Sequence, residues 1–533
     1  MKGRLIALLL LVAGASAQQA SSDGVYENRY NPERTGFTTS TVLDSAVFVN
    51  STFGKRQQWD VDGGVHAQPL YAPGILVSGQ PTNMLLVVTE HATLYALNAD
   101  NGSTLWSVSF LQGSPIRGVD LQPPCTEVGR ELGMLSTPVI DPTTNTIYLM
   151  PFIIENGAQS YRLHAIDLTT GHEKNGSPSQ ILAASKTFPG QGVVTFDATK
   201  QLQRPGLTLA QGKVYAAFGS HCGVPPYYPW IFAFDAYTLQ LTNTYTEPPM
   251  SMPGPGIWQS GAGLVVLGNS LFMAMGNGPL SAKNGSYGNA VINMSIPDLV
   301  VQDYWAPSNV AALNAGGFDL GSSAPIPVSN NTLIFMGGRD GSYYLLKADA
   351  LGGSASTPLG FIPPDATMPA GTGGLYNGAA YWTGGVGGPG YIYSLGSGSG
   401  ALKKFTLAGS TLTLNGVAAA VGNFTKWGGA PVVSAMTPDA TTAVVWAFDG
   451  SATLYAWDAD SLALLWNSAD LPSDVAPCSA ITFAMPTVLD NMVYVGCDGK
   501  VMGYGTRAAS RTVGGANFGA SPGASSLLDT GRK

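Results

Sequence analysis

The sequence predicts an all-β fold: a single eight-bladed β-propeller of four-stranded antiparallel blades, its last blade completed by an N-terminal strand. Three observations carry this. One is a long self-echo: "LYALNADNGSTLW" at 94–106 returns as "LYAWDADSLALLW" at 454–466, identical at seven of thirteen positions. Another is a second motif that interleaves with the first along the chain. The last is composition: 68 Gly and 36 Pro among 533 residues, with only 11% charged. Gly- and Pro-rich turns between short apolar runs are the mark of all-β architectures.

With Tyr95 as anchor, the first motif recurs at His164, Phe232, Val291, Tyr344, Tyr393, Tyr455 and Met502. The second motif is a short apolar strand opening on Pro or Gly. It reads "AQPLYA" at 67, "STPVID" at 136, "QRPGLTL" at 203, "QSGAGL" at 259, "SAPIPV" at 323, "YNGAAYW" at 376, "GAPVVS" at 429 and "AMPTVL" at 484. Each copy precedes one copy of the first motif. Between them lies a third β-rich run such as "MLLVVT" or "KVYAAFG", and a Thr-, Leu- or Trp-rich strand follows. Each unit is therefore four strands that cannot cover their own faces, so the units must stack around an axis. The Pro or Gly fits a crowded innermost strand. Trp106 and Trp466 are expected to wedge between adjacent blades. The last unit ends soon after "MGYG", and "FGKRQQWDV" at 53–61 is the strand that can complete it.

The ends of the chain read as targeting and tail. Lys2 and Arg4, the apolar run from Leu5 to Val12 and the small residues Ala15-Ser16-Ala17 have the three parts of a secretion signal. We expect a signal peptide at 1–17, the propeller at 18–507 and a flexible Gly/Ser/Ala-rich tail at 508–533. Four cysteines (Cys125, Cys222, Cys478 and Cys497) in a secreted chain suggest two disulfides. Asn50, Asn101, Asn175, Asn284, Asn330 and Asn423 head Asn-x-Ser/Thr sequences and are candidate glycosylation sites; Asn293, also in such a sequence, falls in a predicted strand. The formal net charge of −8, without a Lys/Arg cluster, argues against nucleic acid or an anionic membrane as partner. The expected species is a secreted monomer.

Other motifs fail on context. "GVGGPG" at 385–390 precedes a strand rather than a helix, so dinucleotide binding is implausible. His172-Glu173 has no second His at zincin spacing, and no Gly-x-Ser-x-Gly elbow occurs. "PYYPW" at 226–230 offers either a sugar platform or blade packing.

Through "LYALNADNGSTLW", "STPVIDPTTNTIYL", "RLHAIDLTTGHEK", "GIWQSGAG" and "DLGSSAP", the chain resembles the pyrroloquinoline-quinone (PQQ) repeat propellers, the quinoprotein alcohol dehydrogenase-like superfamily, and most narrowly its secreted members of unknown activity. The resemblance spans roughly residues 24 to 506. It implies that the loops entering the first strands and those joining strands two and three surround a central funnel. That mapping places Glu90, His91, Cys125 to Glu127, His221, Trp258, Gln259, Asn277, Asp319, Arg339, Asp340, Asn377, Trp427, Asp449 and Asp498 on one face. Cys125 with Cys222, and Cys478 with Cys497, could each bridge there.

Two functions follow as expectations. The first is an extracellular ligand-binding or scaffold protein, with a small molecule or glycan in the funnel, since Trp, Tyr, Asn and Gln suit sugars. The alternative is a PQQ- and calcium-dependent oxidoreductase acting on alcohols or sugars. For that reading Asp319 is the candidate proton acceptor, and Trp258, Gln259, Arg204, Arg339 and Trp427 are candidate cofactor contacts. Glu127, Asn277 and Asp340 are candidate calcium ligands. The adjacent-cysteine ring of many such dehydrogenases, and a haem site, are missing from the sequence.

Overall fold

The computed structural model describes residues 24–507, apart from 42, 49–51, 250–253, 355, 368, 386, 399–400, 425–428, 438–439 and 441. Eight antiparallel sheets succeed one another. Blade one comprises Leu70–Val77, Gln80–Val88, Thr93–Asn98 and Thr104–Ser109. Blade two has Val139–Asp141, Thr146–Leu149 and His164–Asp167, with a single bridge from Ile166 to Glu173 in place of an outer strand. Blade three has Thr208–Ala210, Lys213–Ser220, Trp230–Asp235 and Leu241–Tyr245; blade four has Val265–Leu267, Ser270–Ala274, Val291–Ser295 and Val300–Trp305. Blade five has Ile326–Val328, Leu333–Gly337, Tyr343–Lys347 and Gly360–Ile362; blade six has Ala380–Trp382, Gly390–Leu395, Leu402–Ala408 and Thr411–Val417. Blade seven has Val432–Ser434, Val444–Phe448, Leu454–Asp458 and Leu464–Asn467.

Blade eight closes the ring as expected. Its own chain end supplies Thr487–Leu489 and the long strand Met492–Thr506, and Phe53–Gly64 pairs antiparallel along the outer half of that strand, Phe53 opposite Thr506. The closure buries apolar surface: Phe53 is 1% exposed and meets the rings of Trp446 and Trp466 at 5.5 and 4.9 Å.

Adjacent blades adhere through apolar faces, for example Tyr215 and Ile231 of blade three against Leu271, Met273 and Ile292 of blade four. The tryptophans act as foreseen. The indole N–H of Trp106 donates to Leu168 O of the next blade at 3.2 Å, and Trp305, at the same place in blade four, donates to Ser356 O at 3.0 Å. Blade six departs from the sequence reading. Tyr393 lies on its second strand, not its third, which is "LKKFTLA" at 402–408. The Gly-rich loop 383–389 delays the second strand, so "YIYSLG" imitates a third-strand motif.

No repeat or motif marks where residues 24–41 go. They fill the centre of the ring and bond to the innermost strands of seven blades. Val25 bridges Tyr71 of blade one, and Tyr26 O accepts from Ile140 N of blade two. Arg34 donates to Leu207 O and Thr208 Oγ1 of blade three, and Pro32 O accepts from Val266 N of blade four. Thr35 O takes Tyr381 N of blade six, Phe37–Thr38 runs parallel to Val433–Ser434 of blade seven, and Ser40 O takes Asp490 N of blade eight. This explains the glycines of the second motif. A Cβ on Gly206 would lie 2.9 Å from the Asn28 Cβ, one on Gly378 2.9 Å from Arg29 Cζ, and one on Gly263 3.2 Å from Arg34 Nε.

Candidate functional site

Two groups of polar residues stand on the face where the first strands begin. The larger spans blades three to six. Trp258, on the segment entering blade four, donates its indole N–H to Asp319 Oδ1 at 3.1 Å. Asn277, between strands two and three of the same blade, donates its backbone N–H to that oxygen at 2.7 Å. Arg339, the corresponding loop residue of blade five, pairs with Asp319 Oδ2 at 3.1 Å. Its Nε donates to Tyr376 Oη at 2.6 Å, with the guanidinium 4.8 Å above the Tyr376 ring. Equal positions in adjacent repeats thus converge on one carboxylate, whose two oxygens take three donors.

Arg204 packs against this group. Its guanidinium is 5.7 Å from the Trp258 ring centre and 5.1 Å from that of Phe483, which reaches over from blade eight. Gly219 and Gly256 press so closely on the indole that a Cβ at either would come within 3 Å of it. Burial lowers the Arg204 pKa to about 10, against the opposing pull of Glu127 and Asp319. Tyr227 of "PYYPW" is 7% exposed and packs 5.8 Å from the Trp258 ring, so that stretch serves packing.

The second group joins blades eight, one and two around a cavity of about 370 Å³, lined by His66, Glu90, Glu127, Arg130, Thr482 and Asp498 among others. His66 Nε2 lies 3.2 Å from Glu90 Oε2, and its Nδ1 faces Thr482 O at 3.1 Å. Arg130 donates its backbone N–H to Glu90 at 3.2 Å and its guanidinium to Asp498 at 2.5 Å. Burial alone would raise the Glu90 pKa, but the hydrogen bond and charge of His66 together with backbone hydrogen bonds from Gly64 and Glu131 outweigh it and the net shift is downward.

The disulfides are Cys125–Cys222 and Cys478–Cys497. The first ties the loop carrying Glu127 and Arg130 to the blade-three loop of His221. Burial depresses the His221 imidazole to about pKa 4. The unfolded chain takes that proton near pH 6.5, so this contribution is complete above pH 6.5 and drains away as pH falls toward 4. We expect ~2–3 kcal/mol of stability to disappear over that window. The urea midpoint at pH 7, 5.5 and 4 should fall more steeply for the wild type than for His221→Gln; parallel slopes would refute the assignment.

Several candidates separate on inspection. Glu127 lines the second cavity, which Asn277 and Asp319 do not. The Asp340 carboxylate accepts the N–H and O–H of Ser342 and so caps its own turn. Gln259 is fully buried beneath the loop, its Nε2 toward Gly263 O. Trp427 lies outside the described residues. Sequence reasoning missed His66, Arg130, Tyr376, Thr482 and Phe483 as site residues. Four of these five stand within four residues before the Pro or Gly of a second motif, a positional signal that could have found them.

PQQ and calcium, implied by the sequence resemblance, do not fit these residues as arranged. Asp319 is engaged by Arg339 and two N–H donors, Asp340 is committed to its turn, and Glu127 is elsewhere. No group of three or more His, Cys, Asp or Glu positioned for a metal exists among the described residues. The Arg204 guanidinium, 5.7 Å from the Trp258 ring centre, takes up space beside the indole that a planar cofactor would need.

No family model matches the chain, and no curated protein matches it. Solved structures do. The quinohemoprotein alcohol dehydrogenase of Comamonas testosteroni aligns at a TM-score of 0.61 and 14% identity, over 96% of this chain and 84% of that one. A quinohemoprotein alcohol dehydrogenase of Pseudomonas putida HK5 aligns at 0.60 and 13%, over 95% and 84%. A europium-containing methanol dehydrogenase aligns at 0.58 and 10%, over 91% and 98%. In fold, this chain is an eight-bladed propeller similar to these dehydrogenases over nearly its whole length.

Proposed function

We propose that this chain is a secreted, glycosylated propeller that binds a small ligand, a carbohydrate foremost, in a funnel closed behind by its own N-terminal segment. One observation carries the reading. Arg204 is packed beside the rings of Trp258 and Phe483, with Arg339 over Tyr376 in the same cluster, and residues 24–41 run close behind: a Cβ on Gly206, two residues from Arg204, would lie 2.9 Å from Asn28 Cβ. Aromatic faces beside fixed donors match the apolar faces and hydroxyls of a sugar. Asn101, Asn175, Asn284, Asn330 and Asn423 are all exposed, as glycan attachment requires, while Asn50 lies outside the described residues.

The second reading, a PQQ- and calcium-dependent oxidoreductase, is supported by the fold shared with alcohol dehydrogenases over nearly the whole chain. It requires Arg204 and Phe483 to leave the indole and Asp319 to release Arg339. A glycan-array survey of the purified protein, run beside titration with PQQ and Ca²⁺ followed by absorbance and by dye reduction with alcohols and sugars, separates the two. Glycan binding without PQQ uptake is the expected result. Dye reduction that Asp319→Asn abolishes would establish the oxidoreductase instead.

A further inference from the structure

Arg204 is the anomaly of the funnel. Among the described residues its Nε is enclosed without a hydrogen-bond partner, while the side chain as a whole is only half-buried beside the Trp258 and Phe483 rings. The charges of Glu127 and Asp319 both act on it. A guanidinium carries five N–H donors in one plane, and leaving such groups unpaired and partly desolvated costs free energy. Contact with the Trp258 and Phe483 rings restrains the guanidinium without using its N–H donors. An immobilised, unpaired donor fork matches a carboxylate, which accepts two parallel N–H bonds.

The charges around it point the same way. Arg204 and Arg339 stand against Asp319 and Glu127, and Asp319 is already paired with Arg339. A divalent cation placed there would meet two guanidinium groups and no free pair of carboxylates. An incoming anion meets unused donors.

We propose that Arg204 makes the funnel a metal-independent receptor for a carboxylate-bearing ligand, the arginine supplying the positive charge that a bound cation would otherwise provide. This rests on the ligand-binding reading above. The carboxylate can belong to a sugar acid, whose hydroxyls and apolar face would use Trp258, Tyr376 and Phe483, or to a simple organic acid.

The test uses the full secreted protein, treated with EDTA and titrated calorimetrically with galacturonate, galactose and succinate. Galacturonate should bind in EDTA at least tenfold more tightly than galactose. Arg204→Ala, shown by circular dichroism to remain folded, should weaken galacturonate at least tenfold, and Arg204→Lys should fall between, having charge but no planar fork. Galacturonate far above succinate identifies a sugar acid as the source of the carboxylate; parity identifies a simple acid. Galactose binding as tightly as galacturonate, indifference to Arg204→Ala, or an absolute need for Ca²⁺ would each overturn the inference while leaving a ligand-binding propeller. Silence from all three ligands and from the glycan array would remove the broader reading as well.

Discussion

Replacing Arg34 with alanine is expected to remove about 3–5 kcal/mol of folding stability, the cost of breaking a buried ion pair from one side. Arg34 is 0% exposed at the centre of the ring. It pairs with Glu27 at 2.8 Å and donates to Asn28 O, Leu207 O, Leu264 O and Thr208 Oγ1 at 2.7 to 3.2 Å. Alanine would leave the enclosed Glu27 carboxylate uncompensated and remove a donor from four acceptors, of which Leu264 O keeps Thr208 Oγ1. Burial already raises the Glu27 pKa despite the opposing charge of Arg34, so the carboxylate depends on that guanidinium. Guanidinium-chloride unfolding followed by tryptophan fluorescence measures the loss. The double variant Arg34→Met with Glu27→Leu should recover much of it, because the isolated charge is then gone. A loss below about 1 kcal/mol for Arg34→Ala would mean that the channel segment is held by its backbone alone.

The second large effect concerns the disulfides. Cys125–Cys222 closes 97 residues of sequence and Cys478–Cys497 only 19. Loop-closure entropy then assigns about 4–5 kcal/mol to the first and about 3 kcal/mol to the second. The double variant Cys125→Ser/Cys222→Ser should therefore unfold at lower denaturant than Cys478→Ser/Cys497→Ser. The reverse order would show that local packing around each sulfur pair, rather than restriction of the unfolded chain, governs their contribution. The first variant should also loosen the cavity rim, since it frees the loop of Glu127 and Arg130 from blade three.

The ring was legible because its signals repeat. Each blade buries the same faces against its neighbours, so the same apolar strands and tryptophans return at matching places. Blade six misled only in register, where a glycine-rich loop displaced one strand. The channel segment was illegible for a physical reason. Its partners are backbone carbonyls and amides scattered over seven blades, which leave no local pattern; only the motif glycines record its presence. Some of the residues named from the sequence come together and others do not. Asp319, Trp258, Asn277 and Arg339 meet because each occupies a loop position that the repeat defines. Their neighbours Gln259 and Asp340 turn away, since a repeat fixes where a loop lies but not which of two adjacent side chains faces inward. Arg204 was singled out from sequence, whereas its lack of a partner belongs to packing and was visible only in three dimensions.

The channel segment also orders events in time. Its amides and carbonyls find partners in the first blade and in the last, and the strand just after it completes the sheet that the far end of the chain begins. The contact of Ser40 with Asp490 joins positions about 450 residues apart, so this end of the segment settles only when the last blade has been made. Until then the strand Phe53–Gly64 has no partner strand. Synthesis halted anywhere short of that point yields an open arc with both seams unsealed, so completion of this protein is a single late event rather than an accumulation of finished blades.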